Sequence, residues 1–291
     1  RIREYGLGTK AKAKTPKLKQ HEMPEYSKEE LREDLFDLQD KSSKKIGYQR
    51  VEFEFDDKIM LIPQADWHVG ARYVDYRRLW NDIYFIKNTP NVFTGLCGDY
   101  ADNYNQTSYR SGRVEQQLPI QKQKAIAEFF ISELEDKALW FINGCHEEFS
   151  FVNDGFEFGK FLAHKALGYY LGHWGIIDLK VGKQTYTIFA THRTYRHSTI
   201  TDAYAMVKAV QEAYDFDIGI MAHYHDPFTT EFSHKGKKIK ALGCSTYKGW
   251  DRHASRGGYP PNLDVSPGII LEADERNIIT NIDYRELKKY L

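Results

Sequence analysis

The sequence predicts an α/β protein with four layers, α/β/β/α, in which two β-sheets face each other and helices cover both outer surfaces. Two observations predict it. Strand patterns alternate with helical patterns from about Val51 to Ala222, which is typical of α/β proteins. After His225 short strand patterns follow one another directly. Two facing sheets with helices outside bury the apolar faces of all these elements economically.

The chain begins with a basic stretch. Residues 1–26 are expected to form a flexible arm, because as far as Lys19 the only acidic residue is Glu4. A solvated linker and an arm that contacts a phosphate backbone both fit this composition. The first residues lack an initiator Met and a signal pattern, so we expect a fragment of a longer chain. Residues 1–7 faintly resemble the tail of a helix-turn-helix recognition helix, which leaves an upstream DNA-binding module open.

Residues 27–47 predict a helical extension. Ser27 and Glu30 have the spacing of a capping box, and Leu31, Leu35 and Leu38 continue with helical spacing through about Asp40. The main domain is then expected over residues 48–291.

Within this range the elements are predicted in order. Val51, Phe53 and Phe55 alternate with acidic residues, which indicates a strand with one solvated face, and 58–63 indicates a buried strand. Helices are predicted at about 75–88, 119–137, 155–168 and 198–214, with strands between them. Further strands are predicted at 228–232, 239–242, 268–273 and 278–284.

Composition excludes several classes of protein. The 291 residues are 41% hydrophobic, enough for one sizeable core, and no apolar run reaches the length of about eighteen residues that suggests a membrane span. Formal net charge is +0, which excludes bulk charge as the main source of nucleic-acid affinity. Three widely spaced cysteines argue against a disulfide framework, so a cytoplasmic location is expected.

Five apolar runs end in residue types that bind metals. These residues are Asp66 and His68, then Asp99, then His146, then His192, and finally His223 and His225. Each histidine alone would be an ordinary partly buried residue, but ligands in open α/β sheets lie at the carboxyl ends of strands, so the whole set predicts one metal centre. Carboxylates with imidazoles suit zinc, manganese or iron. Asp99 could bridge two cations about 3.5–4 Å apart, and Asp102 is better placed to steady a ligand.

The same segments resemble a known family. Five blocks are similar, in order and spacing, to the motifs of calcineurin-like metallophosphoesterases: Asp66-Trp67-His68, Gly98-Asp99-Tyr100-Ala101-Asp102-Asn103, Gly144-Cys145-His146-Glu147, Thr191-His192 and Ala222-His223-Tyr224-His225. The resemblance covers roughly residues 59–282. A polar loop at 103–117 and the Gly258 to Pro261 element look most like the phage and prophage phosphoesterases, relatives of double-strand-break repair nucleases.

The resemblance implies a four-layer metallophosphoesterase sandwich with two divalent metal ions, for which manganese is expected and zinc or iron remain open. Asp66, His68 and His225 would hold the first metal, Asp99 would bridge, and His192 and His223 would hold the second. His146 would be the catalytic imidazole, and Asp102 would position it or a neighbouring ligand.

Three residues depart from the family pattern. Cys145 stands where the family usually has a metal-binding Asn, so it is either a thiolate ligand that biases the site toward zinc or a spectator. Arg193 and Ala222 replace glycines beside His192 and His223. Arg193 could instead contact a substrate phosphate.

Basic and aromatic residues outside the blocks are candidates for substrate binding. They are Tyr109, Arg110 and Arg113 in the polar loop, Lys248, Arg252 and Arg256 near the Gly258 element, and Tyr104, Tyr247 and Trp250 for base stacking. Phosphate contacts and stacking are how proteins hold DNA strands. Solvated charged loops are an equally good interpretation of each cluster separately.

Together these features favour a DNA nuclease, either an exonuclease or an endonuclease, with DNA as substrate and no membrane partner. A phosphatase or cyclic-nucleotide phosphodiesterase is the first alternative and would need a small closed pocket. A catalytically weakened nucleic-acid-binding homologue is the second, because of the three departures. A homo-oligomer is neither required nor excluded.

Overall fold

The computed structural model describes residues 26–42, 49–106, 108, 110–194, 204–211, 215–258, 261 and 263–291. They belong to two units, one within Arg1–Gly47 and one within Tyr48–Leu291. The first unit contains helix α1 (Lys28–Ser42). Its start confirms the predicted capping box: the Glu30 backbone N–H donates to Ser27 Oγ at 3.1 Å, and the Ser27 N–H donates to Glu30 Oε2 at 2.8 Å.

The second unit alternates strands and helices, as expected. Its strands are β1 (Gln49–Phe55), β2 (Ile59–Leu61), β3 (Val92–Leu96), β4 (Ala138–Phe141), β5 (Tyr169–Tyr170), β6 (Trp174–Val181), β7 (Gln184–Thr191), β8 (Ile218–Met221), β9 (Phe228–His234), β10 (Lys237–Gly243), β11 (Gly268–Leu271) and β12 (Ile278–Asn281). Its helices are α2 (Tyr76–Asn88), α3 (Arg110–Arg113), α4 (Ile120–Leu134), α5 (Cys145–Asp154), α6 (Phe158–Lys165), α7 (Tyr204–Gln211) and α8 (Arg252–Gly257), with 3₁₀ turns at Glu135–Lys137 and Tyr284–Tyr290.

The strands form two sheets. One has the order β1-β6-β7-β8-β10-β9 and the other β12-β11-β2-β3-β4-β5. In the second sheet β2, β3 and β4 are parallel, with Met60 opposite Val92. In the first sheet β7 and β8 are parallel, with Ile188 opposite Ile218. Parallel neighbours end at the same edge of a sheet, so β2, β3 and β4 end together, as do β7 and β8.

Three apolar clusters define the layers. Leu61 of β2, Leu179 of β6 and Ile188 of β7 belong to a buried cluster between the two sheets. Successive strand residues face opposite sides, so Met60 packs instead with Leu79 of α2 and other residues of α4 and α6. On the other sheet, residues of β6, β7 and β10 pack against α7. The predicted α/β/β/α arrangement is therefore confirmed.

Most predicted elements are present, with three differences. The helices expected at 75–88, 119–137 and 155–168 are α2, α4 and α6, whereas of 198–214 the structure describes only α7 and residues 198–203 and 212–214 lie outside the described part. Helices α3, α5 and α8 were not predicted. The last strand ends at Asn281 rather than at 284, because the Asp283 carboxylate accepts the Arg285 N–H and begins a 3₁₀ turn.

Two further expectations concern the whole chain. All three cysteines are free, which confirms the absence of a disulfide framework. Across the described ranges, no helix combines the length and apolar character needed to cross a membrane.

Candidate metal centre

The ends of five strands bring metal-binding side chains together. Asp66 and His68 follow β2, Asp99 follows β3, Cys145 and His146 begin α5 after β4, His192 follows β7, and His223 and His225 follow β8. Their ligand atoms form overlapping groups in which all atoms lie within 4.8 Å of one another: Asp66 with His68 and His225, Asp66 with Asp99 and His192, Cys145 with His192 and His223, and His68 with Asp102 and His146. We call these residues the cluster.

The backbone of the cluster is strained. Asp66, His68, Asp99, His223 and His225 are non-glycine residues with φ of 51°, 45°, 55°, 74° and 62°. Left-handed backbone is sterically costly for such residues, and it is often found at functional sites, where the surroundings hold it in place. Here the turns after β2, β3 and β8 direct the side chains of these five residues inward, at the cost of backbone strain.

Asp66, His68 and His225 form what we call the first half-site. His225 Nε2 lies 3.0 Å from His68 Nε2 and 3.5 Å from Asp66 Oδ1. The His223 N–H donates to Asp66 Oδ2 at 3.0 Å, which fixes this carboxylate. Asp66 Oδ1 is buried and has no hydrogen-bond partner among the described residues. A cation between these atoms would satisfy it.

Asp99 is the centre of the cluster and is 2% exposed. Its Oδ2 lies 3.3 Å from His192 Nε2 and 3.9 Å from both His68 Nε2 and His146 Nε2. Its Oδ1 accepts the backbone N–H of His146 at 2.8 Å. Asp99 is thus positioned between the first half-site and the side chains of Cys145, His192 and His223, which we call the second half-site.

The tautomer of His192 indicates a position for a cation. His192 Nδ1 contacts the Cys97 carbonyl oxygen at 2.6 Å, and since a carbonyl only accepts, Nδ1 carries the proton. Nε2 then faces the Asp99 carboxylate, and it is buried without a hydrogen-bond partner among the described residues. Two acceptors at 3.3 Å repel each other unless a proton or metal ion lies between them. The donor set therefore fits a divalent cation.

The pKa shifts have the same origin. Burial raises the pKa of the Asp99 carboxyl, but the neighbouring imidazoles of His192 and His146 outweigh burial and bring it well below its usual value. Burial lowers the pKa of His192, but Asp99 outweighs it and the net shift is upward. Burial, with His146 and His225 nearby, lowers the pKa of His68 well below the usual value.

His146 is held by its backbone and by one ring nitrogen. Its Nδ1 donates to the Asp102 carbonyl oxygen, so Nε2 points toward Asp99. Asn103 Nδ2 donates to the His146 carbonyl at 2.6 Å, and the Tyr104 ring packs edge-on at 4.9 Å between centroids. The imidazole therefore has a fixed orientation and presents Nε2 to the cluster.

The Asp102 carboxylate faces a different histidine. It is fully buried, and Oδ1 lies 3.4 Å from His68 Nδ1 and 3.8 Å from Lys248 Nζ. Burial raises its pKa, against the opposing charge of Lys248. Asp102 thus contacts His146 through its backbone carbonyl and lies near His68 through its carboxylate.

Glu147 was not predicted as a site residue. It is 1% exposed, and its carboxylate accepts the backbone N–H groups of Gly144, Asp99 and Tyr100 at 2.7, 2.8 and 3.1 Å. Burial and the Asp99 charge raise its pKa to about 8, while the N–H donors oppose them. The sequence signal was available, since an acidic residue in the first turn of a helix commonly binds backbone N–H groups.

The predicted substrate residues lie outside the cluster. Arg113, Arg193, Arg252 and Arg256 are exposed, Arg110 begins α3, and Tyr109 lies outside the described residues. Of these, Arg193 approaches the second half-site, with Nη1 3.9 Å from Cys145 Sγ.

Two other candidates for DNA contact are largely buried. Tyr247 is 2% exposed and donates its hydroxyl to Asp82, so it is a core residue. The Lys248 side chain is 11% exposed and pairs with Asp251 at 2.8 Å beside Asp102. Trp250 is 47% exposed, and Tyr104 is half-buried against His146.

A cavity of about 610 Å³ adjoins the second half-site. Cys145, His192 and Arg193 line one side. Trp174 and Phe189 contribute aromatic surface, with ring centroids 5.8 Å apart, and Ala205 and Ala209 of α7 also line it. A cavity of this size and composition can hold a small organic group next to the cluster.

Comparisons with known proteins find fold likeness at low identity. No protein-family model and no curated protein matches the chain. Vacuolar Protein Sorting 29 from Cryptosporidium parvum is 12% identical, with a TM-score of 0.43 over 78% of this chain and 98% of that one. The calcineurin-like phosphoesterase YfkN from Bacillus subtilis is 12% identical, with a TM-score of 0.43 over 77% and 90%. The Pseudomonas putida nuclease MPE is 11% identical, with a TM-score of 0.34 over 76% and 87%. At these values the likeness carries no assignment of function.

Proposed function

We propose that this chain is a calcineurin-like metallophosphoesterase that hydrolyses phosphodiester bonds, with DNA as its substrate. One observation carries the proposal. Acidic and imidazole ligands from five strand ends converge on Asp99, and buried acceptor atoms of Asp66 and His192 there lack a hydrogen-bond partner among the described residues. Such a set of ligands around one central carboxylate suits a two-metal centre, which is an arrangement used for in-line attack on phosphorus.

The residues divide into three tasks. Asp66, His68 and His225 would hold one cation, Cys145, His192 and His223 the other, and Asp99 both; manganese is the metal we expect to support activity. When bound, such a pair of cations lowers the pKa of water and neutralises phosphoryl oxygens. His146 Nε2 donates a proton to the leaving oxygen, and the Asp102 carbonyl keeps Nδ1 protonated so that Nε2 is the nitrogen that exchanges it.

Exposed side chains support DNA as the substrate. Arg252 and Arg256 lie on α8, Arg113 ends α3, and Trp250 offers an exposed ring. Arginines contact phosphates and aromatic rings stack on bases. Within the superfamily, the polar loop and the Gly258 element favour the phage and prophage type related to double-strand-break repair nucleases.

The cavity favours a second candidate function. A small phosphoester with one organic substituent fits a cavity of about 610 Å³ beside the second half-site, as a cyclic-nucleotide phosphodiesterase or a phosphatase requires. Both functions would use the cluster, but only DNA hydrolysis would also require the exposed arginines.

A substrate panel separates these functions. Manganese-loaded protein is offered single- and double-stranded DNA, a cyclic nucleotide, a phosphomonoester and bis-p-nitrophenyl phosphate, as wild type and as the double variant Arg252→Ala, Arg256→Ala. We expect DNA cleavage that the double variant weakens, with bis-p-nitrophenyl phosphate turnover unchanged. Turnover of the cyclic nucleotide or monoester with no DNA cleavage would instead establish the small-substrate function. No hydrolysis of any substrate would support a homologue that binds nucleic acid without cutting it.

A further inference from the structure

We propose that Cys145 is a thiolate ligand and makes the second half-site selective for zinc, so that the two half-sites hold different metals. The inference rests on the proposed function only because it treats the cluster as a metal centre. It does not depend on which substrate is hydrolysed. Its basis is the geometry around Cys145.

The position of Cys145 follows from the start of α5. It is the first residue of the helix, directly after Gly144, whose α-carbon lies so close to Asp99 that an added Cβ would come within 2.2 Å of Asp99 Oδ1. This close approach brings the start of α5 against the loop after β3. Cys145 Sγ consequently lies 3.5 Å from His223 Nδ1, and its group with His192 and His223 closes within 4.8 Å.

Two of the donor spacings match those of a tetrahedral zinc site. With Zn–S of about 2.3 Å and Zn–N of about 2.05 Å, a tetrahedral angle separates sulfur and nitrogen by about 3.6 Å, and nitrogen and oxygen by about 3.4 Å. The structure has 3.5 Å between Cys145 Sγ and His223 Nδ1 and 3.3 Å between His192 Nε2 and Asp99 Oδ2. Cys145, His192 and His223 thus supply one sulfur and two nitrogens within 4.8 Å of one another, and Asp99 reaches this half-site through its contact with His192.

A separate observation indicates that this half-site binds a ligand. His192 is 2% exposed, and its Nε2 is turned inward without a hydrogen-bond partner among the described residues. In addition, Arg193 Nη1 lies 3.9 Å from Cys145 Sγ, which places a cationic side chain beside the sulfur.

The first half-site offers a different chemistry. Asp66, His68, His225 and the shared Asp99 supply oxygen and nitrogen atoms and no sulfur. Such donors accept manganese or iron, whereas a thiolate selects softer cations. A protein supplied with both zinc and manganese is therefore expected to place zinc beside Cys145 and to leave the first half-site to the harder ion.

The other cysteines supply a matched control. Cys97 is 0% exposed and Cys244 is 2% exposed, and both lie in the core between the two sheets. Cys244→Ser removes a thiol without touching the second half-site, whereas Cys145→Ser and Cys145→Asn remove the proposed ligand. The Asn variant keeps an oxygen donor, so it tests the loss of sulfur while preserving a metal-binding side chain.

The test is spectroscopic. Metal-free protein is titrated with Co²⁺, and the near-ultraviolet absorption of a thiolate–metal charge transfer is followed to saturation. We expect the band in wild type and in Cys244→Ser and its loss in both Cys145 variants, with circular dichroism confirming that each variant is folded. In competition between zinc and manganese, Cys145→Asn should lose zinc preference by at least about tenfold, since even changes behind a ligand cost about that much.

The outcomes separate this inference from the proposed function. If the charge-transfer band depends on Cys145 but the protein hydrolyses no substrate, the zinc site is supported and the proposed enzymatic function is contradicted. Hydrolysis by a folded wild-type protein that binds Co²⁺ with no thiolate band, or with a band that survives in Cys145→Asn, would overturn the zinc site and leave the enzyme intact.

Discussion

The chemistry of the His146 side chain depends on the hydrogen bond that its Nδ1 donates. The Asp102 carbonyl can only accept, so it keeps the proton on Nδ1 and leaves Nε2 to face the cluster. With the ring 8% exposed and packed edge-on against His68 at 4.6 Å, it cannot turn freely. This geometry suits a group that passes a proton to a leaving oxygen.

His146→Ala is therefore expected to lower kcat by about 10²–10⁴-fold on DNA, because the departing alkoxide needs a proton. The loss should be smaller on bis-p-nitrophenyl phosphate, since p-nitrophenolate leaves without help. Turnover of both substrates is measured, with His234→Ala on β9 as control. An equal loss on both substrates would contradict a proton-donating role and point to phosphoryl binding.

At this scale the ligand types could be predicted, but their partners could not. Asp66, His68 and His225 were found because each follows an apolar run that forms a buried strand. The burial of Tyr247 has a physical reason: its hydroxyl reaches Asp82, 165 residues away in the chain, and the Arg78 guanidinium lies 4.3 Å from its ring centre. Pairings across such separations leave no local pattern.

At the scale of elements, α5 and the loop after β3 act as one support. Glu147 at the third position of α5 accepts N–H groups from Gly144 at the helix start and from Asp99 and Tyr100 in the loop. Gly98 has a φ of 93°, and a Cβ there would come within 2.4 Å of the Gly144 nitrogen. The positions of Asp99 and Cys145 depend on this close approach.

Glu147→Gln should destabilise the fold by about 1–3 kcal/mol, because the amide cannot accept all three buried N–H groups. The neighbouring, partly exposed Glu148 provides the matched control, and Glu148→Gln should stay within about 0.5 kcal/mol of wild type. Urea unfolding measures both. Equal free energies of unfolding for the two variants would show that the Glu147 carboxylate does not hold α5 and the loop after β3 together.

Helix α5 could not be predicted from periodicity. A helix is recognised by apolar residues on one face, but within α5 Phe151 is 49% exposed and Val152 is 69% exposed. Its buried face is instead polar, formed by His146, Glu147 and Ser150. The helices that were predicted, such as α2 with Leu79, Ile83 and Ile86, bury apolar residues at helical spacing.

At the scale of the whole second unit, the cluster depends on two sheets whose strands end beside it. Three ligand-bearing strands belong to one sheet and two to the other, and the apolar cluster between the sheets joins them. Strand patterns predicted both sheets, yet which strand lies beside which is set by pairings far apart in sequence, such as β2 with β11. The sequence therefore predicted the layers and the ligand types but not the strand order.

The basic arm lies outside the described residues, and its role stays a prediction. Deleting residues 1–25 should weaken DNA binding and flatten its salt dependence, by about 0.9 in the log–log slope for each DNA phosphate that the arm would otherwise neutralise. DNA binding by the deletion variant is measured across a salt series. It is compared with a second variant, whose arm keeps its length but has every Lys replaced by Gln. An unchanged slope in both variants would make the arm a linker.

Asp99 tests the central claim most directly, because its carboxylate lies between the two half-sites. The measurement is manganese-dependent hydrolysis of bis-p-nitrophenyl phosphate by wild type, Asp99→Ala and Asp274→Ala, where Asp274 is a carboxylate outside the cluster. We predict that Asp99→Ala keeps its fold, binds less manganese and has no turnover above background, while Asp274→Ala matches wild type. Wild-type turnover in a folded Asp99→Ala protein would contradict the two-metal account.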